Sequence, residues 1–457
     1  MPSATKEHLQ RLTQLRQVAK GRPPKAADMS SVACIILGGG QGTRLHPLTT
    51  SRCKPALSFG GRYRLIDIPI SNSLNAGITK IFVLTQFLAR SLHRHIFHTY
   101  RHDALFGGFI EVLSAEQRPG KSEWFQGTAD AVRQNAEYLL ESPAEFFLIL
   151  SGDQLYHMDF EKMMECTEQK DVDVWVSTLA VGKKEASRMG IMKVNEDHHI
   201  IDFYEKPNSD TLLERMKTPK SVLKKMGLNT YGDKEFLGSM GIYLFRRKAL
   251  FDLLYGDQRE DFGKHLIPSQ VKKGRIAAFV HEGYWEDIGT IESFYTANLA
   301  LNHPTPPFTC HDEKNPLFTT PTHLPGPRFS NCHVRSSTIC EGSIIDADEI
   351  SNSIIGQRTV IKKGTIIRDS YLMGNDCFDF PKTAISKTAF SPRPSSPSIG
   401  EDCIIKKAII DKDVCIGNRV QLVNMENHIH FDSDPIYVRD GIIVVSKDAV
   451  LPDDFVF

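Results

Sequence analysis

The chain has 457 residues, 41% apolar and 24% charged, and its 55 lysines and arginines are matched by 55 aspartates and glutamates. This is a soluble globular composition, long enough for two or three domains. A net charge of zero excludes a whole-protein field that would draw in nucleic acid or an acidic membrane, so any anion site has to be local. No apolar run approaches ~18 residues, so no membrane-spanning helix is expected. Nine cysteines without a C-x-x-C spacing read as reduced thiols of a cytoplasmic-type compartment.

In chain order, residues 1–30 form a basic arm without the apolar stretch of a secretory signal. Leu9, Leu12, Leu15 and Val18 have the spacing of a short surface helix. A domain over 31–302 follows, alternating strands and helices. "KIFVLTQF" (80–87), "FIEVL" (109–113), "EFFLIL" (145–150) and "VDVWVSTLAV" (172–181) read as strands. "TADAVRQNAEYLLE" (128–141) reads as one helix, and "DFEKMMECTEQ" (159–169) as another opening at an Asp159 cap. Such alternation predicts an α/β fold with a mostly parallel sheet and ligands at the carboxyl ends of its strands. The run "SLHRHIFHTYRH" reads as an anion-facing or interface surface helix.

A Pro/Thr-rich linker occupies 303–329, and the pattern then changes over 330–457. Ile354, Val360, Ile366 and Leu372 fall at a step of six, as do Ile355, Ile361, Ile367 and Met373. A further column is Ile404, Ile410, Ile416 and Leu422. Hexads of β-branched residues predict a parallel β-helix with one apolar column filling its axis. The Ser/Pro-rich stretch 380–397 interrupts it as a loop between coils.

The chemistry is concentrated where the apolar run 33–37 stops at Gly38, Gly39 and Gly40, followed by Gly42, Thr43, Arg44 and, ten residues on, Lys54. Glycine lets backbone N–H groups close around an anion. Neither the dinucleotide fingerprint nor the Walker spacing fits, because Thr43, Arg44 and Leu45 stand where those patterns need other residues.

Taken together, "GGGQGTRLHPLTTSRCKPAL", "WFQGTADAVRQN", "LSGDQLY", "FYEKP", "SMGIYLF" and "GYWEDIGTIESFY" resemble the glucose-1-phosphate adenylyltransferases (ADP-glucose pyrophosphorylases) from about Val32 to the C-terminus. The resemblance implies a Rossmann-like nucleotidyltransferase domain followed by a left-handed parallel β-helix. It implies transfer of the adenylyl group of ATP to α-D-glucose 1-phosphate, releasing pyrophosphate, for glycogen or starch synthesis. The glycine loop, Arg44 and Lys54 would then face the triphosphate and stabilise the leaving pyrophosphate. Regulatory family members that have lost catalysis replace the cations matching Arg44 and Lys54, and this chain retains both.

A carboxylate facing a triphosphate needs a cation between them, so Asp153 implies Mg²⁺, with Asp287 as its partner and Trp285 stiffening the site. Glu286 would point elsewhere if that segment is extended. By resemblance, Lys206 binds the sugar phosphate and Glu205 the sugar hydroxyls, with Gly190 and Ser239 as further sugar contacts. Lys206 precedes a proline and is expected to be extended. Phe125 stands where some members have tyrosine and offers packing only. For adenine, Gln117, Gly127 and Gln86 are candidates, Gln117 preferred because an amide reads the N1/N6 edge in two bonds.

The family is regulated by small phosphorylated effectors, and this makes Arg52, Arg64, Lys406, Lys412 and Arg419 candidates for an anion site between the domains. Lys406 and Lys412, one hexad apart, are expected to present a paired charge at about 4.8 Å. Ser51 departs from the lysine of some fructose-bisphosphate-activated members, which leaves 3-phosphoglycerate equally open as activator. A homotetramer, or a heterotetramer with a related subunit, is implied, in the cytoplasm or in the plastid stroma of a plant or alga. Three other readings share parts of the pattern: a relative using UTP, dTTP or GTP, a non-catalytic regulatory subunit, and a β-helix acyltransferase. The last would need a catalytic histidine, and His333, His428 and His430 lie only at the edges of the helix.

Overall fold

The computed structural model describes residues 28–100, 108–116, 124–168, 171–228, 234–379 and 396–457. The helical spacing in the basic arm, the adenine candidate Gln117 and most of the Ser/Pro-rich interruption lie outside the described residues.

Nine strands build one mixed sheet: β1 (Val32–Leu37), β2 (Lys80–Thr85), β3 (Phe109–Ser114), β4 (Phe146–Ser151), β5 (Val174–Val181), β6 (Gly190–Val194), β7 (Ile200–Glu205), β8 (Phe236–Arg246) and β9 (Ile276–Val280). β1 runs parallel to β2 on one side and β4 on the other, with β3 outside β2. Alternate residues of β1 enter opposite cores. Ala33 and Ile35 join one cluster, and Val32, Cys34 and Ile36 the other. Burial on both faces is why these strands read as unbroken apolar runs. Because β1, β2 and β4 are parallel neighbours, the glycine loop, the "TQF" loop and the "SGD" turn leave the sheet at the same edge.

The long antiparallel strand β8 divides the second half of the sheet. One edge pairs with β5, while the other pairs first with β6 and then with β4. Between them the register shifts from Ser239 to Tyr243, and Gly241 takes φ 71°. The sheet forks there, separating the carboxyl end of β4 from the β6–β7 hairpin.

Two expected helices are modified. Residues 128–141 form two helices, Thr128–Gln134 and Ala136–Glu141. They break at Asn135, whose side chain donates to the Ala131 carbonyl at 2.9 Å and so competes with the helical ladder. The second, Phe160–Glu165, is capped by Asp159 accepting from the Lys162 N–H at 3.1 Å, and continues as a 3₁₀ turn over Cys166–Glu168.

From Arg328 the chain winds into stacked three-sided coils with three parallel ladders along the stack. The axis is filled by Ile350, Ile355, Ile361, Ile367 and Leu372, then by Ile405, Ile410, Ile416 and Leu422. The strict step of six therefore fails at one corner of each coil. Asn352, Asp369 and Lys407 adopt φ of 43°, 46° and 50° there, making a corner one residue shorter. Leu372 rather than Met373 enters the axis, and Ile405 rather than Ile404, which is 39% exposed.

The β-helix and the sheet-bearing unit share a core. Ile354, Tyr371, Met373, Ile409, Ile442 and Val444 on outer faces of the coils pack with Leu45, Leu48, Leu57, Phe59, Leu65 and Ile68. The outward isoleucines of the hexad pattern thus serve an interface between units.

Candidate active site

The glycine loop leaves β1 with its first amide already engaged: Gly38 N–H donates to Leu84 O at 2.8 Å. Gly38 thus extends the β1–β2 ladder, contrary to its expected place among the phosphate-facing amides. Gly40 is open, with no atom within 4 Å of where a Cβ would stand. Gly42 is left-handed at φ 66°, and a Cβ there would meet Thr49 Cγ2 at 3.0 Å and Lys54 Cβ at 3.2 Å. Only glycine allows that turn so close to Lys54. Thr43 and Arg44 follow in a 3₁₀ turn (Thr43–Leu45) and are exposed, while Leu45 is fully buried.

Lys54, Asp153 and Asp287 converge. The Lys54 ammonium contacts Asp153 Oδ2 and lies 3.4 Å from Asp287 Oδ1. Asp153 stands just beyond β4, and Ser151 donates to its other oxygen. Asp287 lies on the short strand Trp285–Asp287, which pairs antiparallel with Gln154–Tyr156. Burial opposes the Lys54 charge, but the two carboxylates outweigh it and raise its pKa. Asp153 is held below the usual carboxylate range because Lys54 and Ser151 outweigh its burial. Asp287 is pushed up by burial and by the Asp153 charge. A Cβ on Gly289 would stand 3.2 Å from Asp287 Oδ2 and 3.4 Å from an Arg44 nitrogen, so Arg44 reaches the same point.

Trp285 Nε1–H donates to Gln154 Oε1 at 3.2 Å, and Gln154 donates to Met240 O at 2.9 Å, bracing the Asp287 strand against β8. Glu286 falls on the opposite side of this strand from Trp285 and Asp287 by its alternation, and burial with the charges of Asp287 and Glu185 pushes its pKa up, against Arg188. Two convergent carboxylates fit Mg²⁺, which takes one or two protein oxygens and completes its shell with phosphates and water. The described residues hold no group of three or more His, Cys, Asp or Glu of the kind a closed transition-metal site uses.

Across the fork lies a second cluster. Glu205, ending β7, has Gly190 on one side and Gly263 on the other. A Cβ on either would meet its Oε2 at 2.7 or 2.8 Å. Burial raises the Glu205 pKa, Lys206 lowers it in part, and Asp261 raises it further. Lys206 Nζ lies 3.7 Å from Glu205 Oε1 on a 59% exposed side chain. Its backbone is left-handed, at φ 49°, and not extended as the following proline led us to expect. Its N–H donates to Met189 O at 3.0 Å. That conformation costs a non-glycine residue about 1–2 kcal/mol and must be imposed by its surroundings. Ser239 is buried at the fork and accepts from Gly241 N–H at 3.2 Å.

Gln86 accepts from Phe125 N–H at 2.6 Å, so its amide braces the Phe125 backbone. Gly127 allows a close backbone approach, since a Cβ there would lie 2.5 Å from Glu260 O. That carbonyl accepts from Ala129 and Asp130 N–H at 2.8 and 3.1 Å, closing the start of helix Thr128–Gln134. Sequence reasoning missed the segment on the other side of this contact. Asp261 caps a π-helical turn, Phe262–Leu266, that carries Gly263 to Glu205. A glycine inside "DFGKHLIP" was the available signal.

The five candidate effector cations do not form one site. Arg52 and Asp411 form a buried ion pair at the junction of the units. Arg419 pairs with Asp454 at 2.6 Å. Lys406 lines a different cleft, with Lys407 and Arg368. The expected Lys406–Lys412 pair fails because a hexad spans one face of the coil, while the short ladder spacing separates successive coils. Arg64 and Lys412 do share a cleft of about 910 Å³ with Arg62, Arg90, Arg94 and Arg358. Lys412 binds Asp376 at 2.6 Å, and Lys447, absent from the sequence candidates, reaches Asp376 at 3.4 Å.

A nucleotidyl transferase family model matches residues 33–303, and a GLGC left-handed parallel β-helix domain model matches residues 322–456. The first covers the central sheet from the second residue of β1 and both clusters around its fork.

Proposed function

The chain belongs to the nucleotidyl transferase family and is a nucleotidyltransferase of the glucose-1-phosphate adenylyltransferase type, and we propose that it transfers the adenylyl group of ATP to α-D-glucose 1-phosphate. A sugar-phosphate oxygen bonds to the α-phosphorus, the bond from that phosphorus to the β-phosphate bridge breaks, and pyrophosphate leaves. The observation carrying the reading is the forked sheet, with a cation–carboxylate cluster on one side and a glycine-flanked carboxylate beside an exposed lysine on the other.

In this reading the open amides around Gly40, with Arg44 and Lys54, hold the triphosphate, and both side chains stabilise charge growing on the leaving group. Asp153 and Asp287 would hold Mg²⁺, which supplies charge neutralisation and orientation of the phosphates. Lys206 anchors the sugar phosphate, and Glu205 accepts from sugar hydroxyls. Glu205 and Gly190 are adjacent across the β6–β7 hairpin, which supports a shared sugar contact. Adenine lies toward Phe125, where Gln86 and Gly127 shape the wall.

The cleft of Arg64 and Lys412 takes a small phosphorylated effector, supported by its six cationic side chains against Asp376. The protein works as a tetramer for glycogen or starch synthesis. Exposed apolar residues at both ends of the β-helix, Phe329 and Val334, then Met425, Ile429 and Val456, support assembly, which sedimentation measures.

The deciding experiment incubates the protein with Mg²⁺, glucose 1-phosphate and each nucleoside triphosphate in turn, and measures pyrophosphate. Release with ATP alone is expected. Faster release with UTP, dTTP or GTP would overturn the adenylyl reading. Lys206→Ala should raise KM for the sugar phosphate, while Lys54→Ala should lower kcat.

A further inference from the structure

Arg52 lies two residues before Lys54, and Asp411 one residue before Lys412. The two form an ion pair at the junction of sheet and β-helix, with only 6% and 3% of their surfaces exposed. Asp411 is fixed to the β-helix by its own backbone. Its N–H donates to Val445 O at 3.1 Å, and its Oδ1 accepts from Lys412 N–H at 2.6 Å. The strand preceding it, Ala408–Ile410, places Ile409 in the shared core.

On the other side, the segment from Gly42 to Lys54 has no strand to hold it. It is built from 3₁₀ turns and local backbone bonds, such as Leu48 N–H to Leu45 O at 2.9 Å and Thr50 N–H to Pro47 O at 3.0 Å. A segment without ladder bonds is placed by its side-chain anchors. These include Leu45 and Leu48, buried in the shared core, and Arg52, while Cys53 ties the end of the segment to the sheet unit, buried in its core with its N–H donating to Leu88 O at 3.3 Å. Leu45, Leu48 and Arg52 all lie between Arg44 and Lys54, and Arg52 is held directly on the β-helix by Asp411. A buried ion pair adds little net stability but fixes one geometry, because any other leaves a charge unpaired.

We propose that the Arg52–Asp411 pair is a positioning joint through which the β-helix sets the place of Lys54 in its cluster. The inference rests on reading the Lys54 cluster as the nucleotidyl-transfer site. It also gives the basic cleft a route to that cluster. Arg64, in the cleft wall, is close enough to Arg52 for their charges to interact, and Lys412 adjoins Asp411. An anion bound by Arg64 and Lys412 changes the field on the joint directly. The β-helix in this sense shapes the active site from outside the Lys54–Asp153–Asp287 cluster.

Removing Asp411 alone would leave a buried unpaired guanidinium, so the test uses Arg52→Met with Asp411→Leu, an apolar pair of similar volume that should keep the fold. Expected are a Tm within about 5 °C of the parent, kcat lowered at least about tenfold, and KM for both substrates within about twofold. Asp411→Asn, which keeps a hydrogen bond, should fall between. A double variant with parental kcat would overturn the joint, as would a matched rise in both KM values with kcat intact.

Inorganic phosphate provides a second readout, with binding followed by calorimetry and its effect followed on kcat. In the double variant phosphate should still bind but no longer change kcat. A parental response would overturn transmission through the joint. If the parent binds no phosphate, the effector reading of the cleft fails together with transmission, while kcat of the double variant still decides the joint.

Discussion

Charges are arranged differently in the two halves of the molecule. On the β-helix away from the basic cleft they close locally, with Arg368 bidentate on Glu349 at 3.0 and 2.6 Å and Arg419 bidentate on Asp454 at 2.6 and 2.8 Å. At the fork of the sheet they crowd instead. One ammonium faces two carboxylates, and Arg44 reaches the same point. Closed pairs suit a surface that must stay as it is. A crowded cluster with pKa values pushed in opposite directions suits a site that exchanges its partners for ligands. Arg52–Asp411 is a buried pair placed at the seam, where Arg62 also pairs with Glu341 at 2.6 Å.

Asp153→Asn tests this contrast most severely. It should lower turnover by about 3–5 kcal/mol of barrier, several orders of magnitude, while Tm changes little. Pyrophosphate release with and without a chelator measures it, and full activity of parental enzyme in the chelator would remove the Mg²⁺ assignment. The opposite behaviour is expected on the β-helix axis. Ile367→Ala should reduce stability by about 2–5 kcal/mol in denaturant unfolding, leaving the kcat of the remaining folded protein near parental.

Gly263→Ala comes next. The added methyl would stand 2.8 Å from Glu205 Oε2 and push the carboxylate off its place, and the expected rise in KM for the sugar phosphate is about tenfold, with KM for ATP unchanged. Equal changes in both would place Glu205 outside the sugar site. The smallest effect belongs to Glu349→Gln on the β-helix. Hydrogen bonds from Arg368 and Ser351 hold the Glu349 pKa down at about 2. Its contribution is therefore complete above the ordinary glutamate pKa and disappears as pH falls from about 4.5 toward 2. The variant should lose under about 1 kcal/mol at neutral pH and much less at pH 2, read from unfolding curves at both pH values.

Much of this was legible in one dimension because the physical rule is local. The apolar runs marked strands buried on both faces, and hexads marked the coils. The glycine loop, "SGD" and "WED" marked the edge where the strands end. An extended strand at Trp285–Asp287 was enough to separate Asp287 from Glu286. Other features depended on contacts distant in the chain. Gly38 looked like its neighbours, but its amide completes a ladder with Leu84. Lys206 precedes a proline, yet it is held left-handed. Ile404 kept the hexad count, but a left-handed corner at Lys407 shifted the inward position to Ile405.

The sequence by itself thus determined the two architectures and singled out the glycine loop and the two carboxylates, because each follows from residue type and short-range period. Only the tertiary structure decided which charges are used together. Arg52 and Asp411 are 359 residues apart and meet, whereas Lys406 and Lys412 are six apart and turn to different faces of the coil. Charge partners depend on which surfaces the folded chain brings into contact, and nothing in local spacing encodes that distance.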